Sequence, residues 1–96
     1  MKVHLTASVS ATSGNSRAMK VLLLELVSHS TREAACLQYE LYQSTDNENL
    51  FIFHETWADQ ASLDAHNVKD QLTAFFKKAT PIMDGEINVQ KTARVI

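Results

Sequence analysis

The chain has 96 residues, a formal net charge of −2, 45% hydrophobic and 21% charged residues, two glycines, one proline and one cysteine. That length holds one small domain, residues 1–96, with no room for a second core. Neither charge sign forms a block, which argues against a nucleic-acid surface, since that requires a clustered basic stripe. Cys36 stands alone in an apolar-rich segment, so it makes no internal disulfide and reads as an inert, buried thiol. After Met1 and Lys2 the chain alternates apolar and polar residues instead of forming the continuous apolar block of a leader. No later stretch is long enough to span a bilayer. A cytoplasmic protein without membrane or nucleic-acid partners is expected.

Val3, Leu5, Ala7 and Val9 alternate with polar residues and predict a first strand. Ser13–Ser16 is a turn cluster, and from Arg17 to Ser30 the spacing becomes helical. Ala18, Met19, Leu22, Leu26 and His29 lie near one face of that helix, while Val21, Leu23, Leu24 and Val27 widen its apolar stripe toward a partner. A second strand spans Cys36–Ser44, with Leu37, Tyr39 and Leu41 on one face and Gln38, Glu40 and Tyr42 on the other. The polar loop Thr45–Asn49 suits an antiparallel connection to a third strand, Leu50–Trp57. That strand starts apolar on both faces, with Phe51 and Phe53 opposite Ile52. Asp59 is a natural N-cap for a helix running to His66, and Asn67 marks a kink or restart. Val68, Leu72, Phe75, Phe76 and Ala79 form the stripe beyond it, and Pro81 and Gly85 end the segment. A last strand is predicted from Glu86 through Ile87, Val89, Ala93 and Val95.

This order is the ferredoxin-like βαββαβ arrangement of the α+β class, a four-stranded antiparallel sheet with helices on one face. With strands apolar on both sides, the helix-free face would be adhesive in a monomer. A homodimer is therefore expected, in which two sheets face each other to form an α+β barrel.

The run Cys36, Tyr39-Glu40-Leu41-Tyr42, then Phe53-His54-Glu55-Thr56-Trp57, then Leu63-Asp64-Ala65-His66 resembles the antibiotic biosynthesis monooxygenase domain family. The resemblance covers nearly the whole chain and implies a small dimeric α+β barrel. Members include quinol and anthrone monooxygenases, small-sugar isomerases and distant haem-degrading enzymes, so it does not by itself select a reaction. Many relatives carry a second His about five residues after the first; here Gln71 holds that position. No His follows His66, which disfavours the haem-degrading branch.

Within that frame His66 is the candidate base, because imidazole can take a phenolic proton and return it near neutral pH; it could equally be a helical His without a role. Glu55 shares a strand face with Phe53 and Trp57 and needs a partner if buried, such as Arg94, a Lys or a backbone amide. It would orient His66 or polarise substrate, or serve a plain ion pair. Trp57, Phe53 and Tyr39 are candidate pocket walls, with Gln71 at the substrate, although Trp57 by itself reads first as core or dimer-wall packing. His54 falls on the opposite strand face, at the dimer side. The four histidines are too scattered for a zinc pattern, and no dinucleotide or phosphate-loop motif occurs, so no metal or cofactor is expected.

Three functions fit. One is a cofactor-independent monooxygenase oxidising a quinol-like or polycyclic phenolic substrate. A second is an isomerase or proton-transfer enzyme on a small carbonyl compound, with Arg94 and Lys91 as the cations available to it. The third is a dimeric module that binds an aromatic metabolite without chemistry.

Overall fold

A computed structural model describes residues 1–96. The elements are β1 (Val3–Ser10), α1 (Ser16–Ser30), β2 (Cys36–Gln43), β3 (Leu50–Trp57), α2 (Gln60–Asn67), α3 (Asp70–Ala79) and β4 (Asn88–Thr92), with a 3-10 turn at Thr80–Ile82 before the last strand. The strands form one sheet in the order β2-β3-β1-β4, and every neighbouring pair is antiparallel. This is the ferredoxin-like α+β fold that the sequence pattern predicts. No helix is long and apolar enough to cross a membrane.

Period-two alternation sends Leu5, Ala7 and Val9 of β1 and Phe51, Phe53 and Trp57 of β3 to the helix-covered face, where all are buried. They meet Met19, Leu23 and Leu26 of α1, Leu63 of α2, and Leu72, Phe75 and Ala79 of α3. The α1 core stripe thus runs through Met19, Leu23, Leu26 and Ser30, while Ala18 and His29 are exposed. Val21 and Leu24 remain exposed, the surplus apolar width expected of this helix.

Other sequence expectations change as well. Leu37 is an unpaired extra residue in β2, because Cys36 pairs with Trp57 and Gln38 with Thr56; the bulge turns its side chain out, 51% exposed. The last strand stops at Thr92, which lies opposite His4 near the start of β1, so Ala93–Ile96 find no strand to pair with. The helix-free face is largely polar: Gln38, Glu40, His4, Thr6, Gln90 and Thr92 lie on it, and Ile52 is half-buried. The apolar argument for face-to-face pairing therefore loses most of its residues. Thr56 on that face is buried, donating to Gln38 Oε1 at 2.7 Å and accepting from His4 Nδ1 at 3.0 Å.

The two short helices replace one long one, as the restart at Asn67 predicts. Asp59 caps α2 by accepting from the Ser62 amide at 2.7 Å. Extended backbone at Lys69 (φ −69°, ψ 153°) then begins α3.

Candidate functional site

A cavity of about 420 Å³ opens between the sheet and the helices, within the range of small-molecule sites. Strand register builds its floor: Tyr39, Glu55, Leu5 and Lys91 stand in one row across β2, β3, β1 and β4, and Phe53, Ala7 and Val89 in the next across β3, β1 and β4. Leu63, His66, Leu72, Phe75 and Phe76 close it from the helix side. Polar groups are few and sorted by depth. Tyr39, Glu55 and His66 are buried, whereas Lys91, Gln60 and Asp64 are exposed. Lys91 Nζ donates to Gln60 Oε1 at 2.7 Å, and Gln60 Nε2 donates to Asp64 Oδ1 at 2.9 Å, linking the sheet edge to α2.

His66 lies on α2 three residues after Leu63, and these two are the helix's buried residues. Its ring packs on Trp57 with centroids 4.4 Å apart and planes inclined by 41°, and Tyr39 approaches at 5.9 Å. Nδ1 lies 2.6 Å from Glu33 Oε2, while Nε2 makes no hydrogen bond within the chain. Glu33 Oε1 in turn lies 3.4 Å from Lys69 Nζ. Glu33 belongs to the loop between α1 and β2, far from His66 in sequence, and Lys69 to the break between α2 and α3.

Glu55 does not take the role of holding His66. Its Oε1 accepts from the Trp57 indole N–H at 2.9 Å, and this, not Arg94 or a Lys, is the partner its burial requires. Burial raises its carboxyl above the usual range, against the opposing pull of the Trp57 hydrogen bond and His66. Burial, reinforced by Glu55, also raises the Tyr39 phenol, so it stays a hydroxyl donor. The Cys36 thiol is pushed up to about 11, first by burial and then by the Glu55 and Glu33 charges, which removes it as a nucleophile at neutral pH.

The structure therefore gathers His66, Glu55, Phe53 and Tyr39 at one cavity, with Trp57 fully buried behind them as the surface on which the imidazole rests. Gln71 is not among them. It lines a separate groove of about 150 Å³ between α1 and α3, with Leu22, Glu25, His29 and Lys78. One residue before Leu72 on a helix is a turn of about 100°, enough to carry it off the cavity face. Arg94 lies beyond β4 and hydrogen-bonds the Ile96 carbonyl, so Lys91 is the cation at the cavity. His54 stands on the helix-free face against Tyr42, ring centroids 5.2 Å apart. Sequence spacing gives no signal for Glu33, because a loop carboxylate becomes recognisable only when the fold brings it to the imidazole.

Residues 2–78 match the family described as antibiotic biosynthesis monooxygenase. A Bacillus subtilis (strain 168) protein named "Putative monooxygenase YcnE" is 31% identical over 67 residues, 70% of each chain. The crystal structure of PA3566 from Pseudomonas aeruginosa superposes with a TM-score of 0.92 at 28% identity, covering 99% of this chain and 95% of that one. A protein from Nitrosomonas europaea titled "Putative antibiotic biosynthesis monooxygenase" shares the fold at a TM-score of 0.91 and 15% identity, over 98% of this chain and 90% of its own. Matching most of its length, the chain belongs to the antibiotic biosynthesis monooxygenase family.

Proposed function

We propose that the chain is a cofactor-independent monooxygenase that oxidises a quinol-like or polycyclic phenolic substrate. The observation that carries this reading is the unpartnered Nε2 of His66 at a largely apolar cavity. An aromatic substrate lying against Phe53 and Phe75 presents its phenol to that nitrogen, which takes the proton. The electron-rich anion forms a carbon–oxygen bond with dioxygen. Cleavage of the O–O bond, with loss of the ring hydrogen at that carbon, gives a quinone and one water. The substrate supplies all four electrons, so one oxygen atom enters the product and the other leaves as water. Tyr39 is the hydroxyl donor available to the departing oxygen, in a cavity whose apolar lining strengthens such a hydrogen bond. The test is oxygen uptake with quinone formation by metal-stripped protein on a quinol and anthrone panel. His66→Ala should lower the rate by about 10²–10⁴-fold. Uptake no faster than buffer across the panel would remove the reading.

The second reading is a proton-transfer isomerase on a small carbonyl compound, favoured by one observation. Glu55, with its raised carboxyl, and His66 line the same cavity, and in this reading they would serve as the acid and the base. Turnover under strict anaerobiosis would select it over the first.

We also propose that the chain acts as a homodimer paired through the helix-free sheet face, where Ile52 and Tyr42 remain partly or largely uncovered. Family kinship supports the pairing, and on a largely polar face these two side chains are the apolar contribution to it.

A further inference from the structure

We infer that Glu33 and Lys69 together form a tautomer lock on His66, holding the proton on Nδ1 so that the cavity-facing Nε2 is always the basic nitrogen. This rests on His66 being the base, and it applies whether the substrate is a phenol or a carbonyl compound.

A neutral imidazole carries one N–H, and its two tautomers are close in energy unless a neighbour distinguishes them. Only the form with a bare Nε2 can accept a proton from a molecule in the cavity. A carboxylate accepts hydrogen bonds and donates none, so the 2.6 Å contact with Glu33 Oε2 requires the proton on Nδ1. The contact is sheltered, with His66 and Glu33 side chains 3% and 15% exposed, so water competes weakly for it. When Nε2 takes a proton, the same carboxylate faces the new imidazolium and stabilises its charge.

The other charged and titratable groups around this ring do not duplicate the function. Glu55, from β3, gives Oε1 to the Trp57 indole. Tyr39, from β2, meets the ring edge-on with planes at 63°. Lys69 addresses only the far oxygen of Glu33, Oε1, at 3.4 Å. The two oxygens of Glu33 are thus divided between a cation and an imidazole. Glu33 positions and polarises the base, without itself reaching the cavity.

The division of oxygens makes a sharp forecast. In Glu33→Gln the ammonium of Lys69 retains the amide oxygen, because it offers only donors. The amide NH₂ is then left facing His66 Nδ1, which has to become an acceptor, and the proton moves to Nε2. A role limited to tying the loop to α2 would be satisfied by this isosteric change, since a hydrogen bond survives. A tautomer lock is inverted by it. Removing the cation as well frees the amide to turn over and accept from Nδ1 again.

The experiment is two-bond ¹⁵N–¹H correlation spectroscopy of the wild type, Glu33→Gln and Glu33→Gln/Lys69→Met at mildly alkaline pH, alongside turnover. The wild type should show a protonated Nδ1. Glu33→Gln should show a protonated Nε2, with kcat lowered at least about a hundredfold and KM little changed. The double variant, whose amide can turn to suit either tautomer, should recover part of the Nδ1 signature and part of kcat. A wild-type His66 protonated on Nε2 overturns the inference without any variant, and so does Glu33→Gln retaining the Nδ1 signature. The spectra need no substrate, so a panel that yields no turnover would remove the oxidation reading and leave the lock to be decided by the nitrogen signals alone.

Discussion

The indole N–H of Trp57 donates to Glu55 Oε1 at 2.9 Å, joining two residues on the same face of one strand. Trp57 is fully buried and Glu55 is 8% exposed, so this donor is not readily replaced by water. Trp57→Phe keeps an aromatic ring but leaves the carboxyl unsatisfied. The lost bond alone should destabilise the fold by about 1–3 kcal/mol in urea unfolding at neutral pH. A variant as stable as the wild type would show that Glu55 finds another donor.

Glu55 also sets a pH dependence. Burial raises its carboxyl in the folded chain, so the folded state holds this proton more tightly than the unfolded state does. Its contribution is complete below the unfolded value, about 4.3 for a Glu, and is lost as pH rises through the higher folded value. Glu55→Gln does not titrate. Its stability relative to the wild type should therefore increase from pH 4 to neutrality, as read by paired unfolding curves. A constant difference across that range would contradict the raised carboxyl.

Asp59 behaves in the opposite sense. The hydrogen bond from the Ser62 amide lowers its carboxyl, so its stabilisation is complete above the unfolded value, about 3.9, and is lost as pH falls through the folded one. Asp59→Ala should be less stable than the wild type at neutral pH, with the gap closing as the solution is acidified. Asp59→Asn, which keeps a capping oxygen, should fall between them. Thermal unfolding at several pH values tests the order.

Cys36 should alkylate slowly. With its thiol raised to about 11, little thiolate exists at pH 8, and the rate with iodoacetamide should climb steeply toward pH 11. Fast labelling at pH 7 would mean that burial does not protect the sulfur.

Homodimer formation should appear as a sedimenting mass near twice 10.7 kDa at low micromolar concentration, with unfolding that depends on concentration. Ile52→Lys, placed at a partly buried apolar position of the helix-free face, should shift the equilibrium toward single chains. A stable species at the single-chain mass in the wild type would remove the pairing.

Much of this was readable from alternation and spacing. Leu5, Ala7, Val9, Phe51 and Phe53 announce the buried sheet face through period two, and Asn67 announces the interruption between the last helices. Tyr39, Glu55 and Phe53 fall on the helix-covered side for the same reason, which is why three strand residues meet at one cavity. What escaped depends on geometry that no local pattern encodes. One extra residue in β2 turns Leu37 outward, and the start of β1 limits how far β4 can pair. Gln71 was placed by its distance from His66 along the chain, but a fresh helix start at Asp70 resets the rotation and sends it to another groove. Glu33 escaped because its pairing with the imidazole spans a strand hairpin and a helix.

Active-site groups commonly weaken the scaffold that carries them, and evolving lineages exchange stability for activity at such positions. The eight-residue helix α2 departs from that bargain, because His66 is one of the two residues through which it is buried. Loss of the imidazole would loosen the helix and, on the proposed reading, remove the base as well. If the proposed reaction were lost, selection would still keep this histidine for its anchorage, and a pocket fallen silent would go on carrying it.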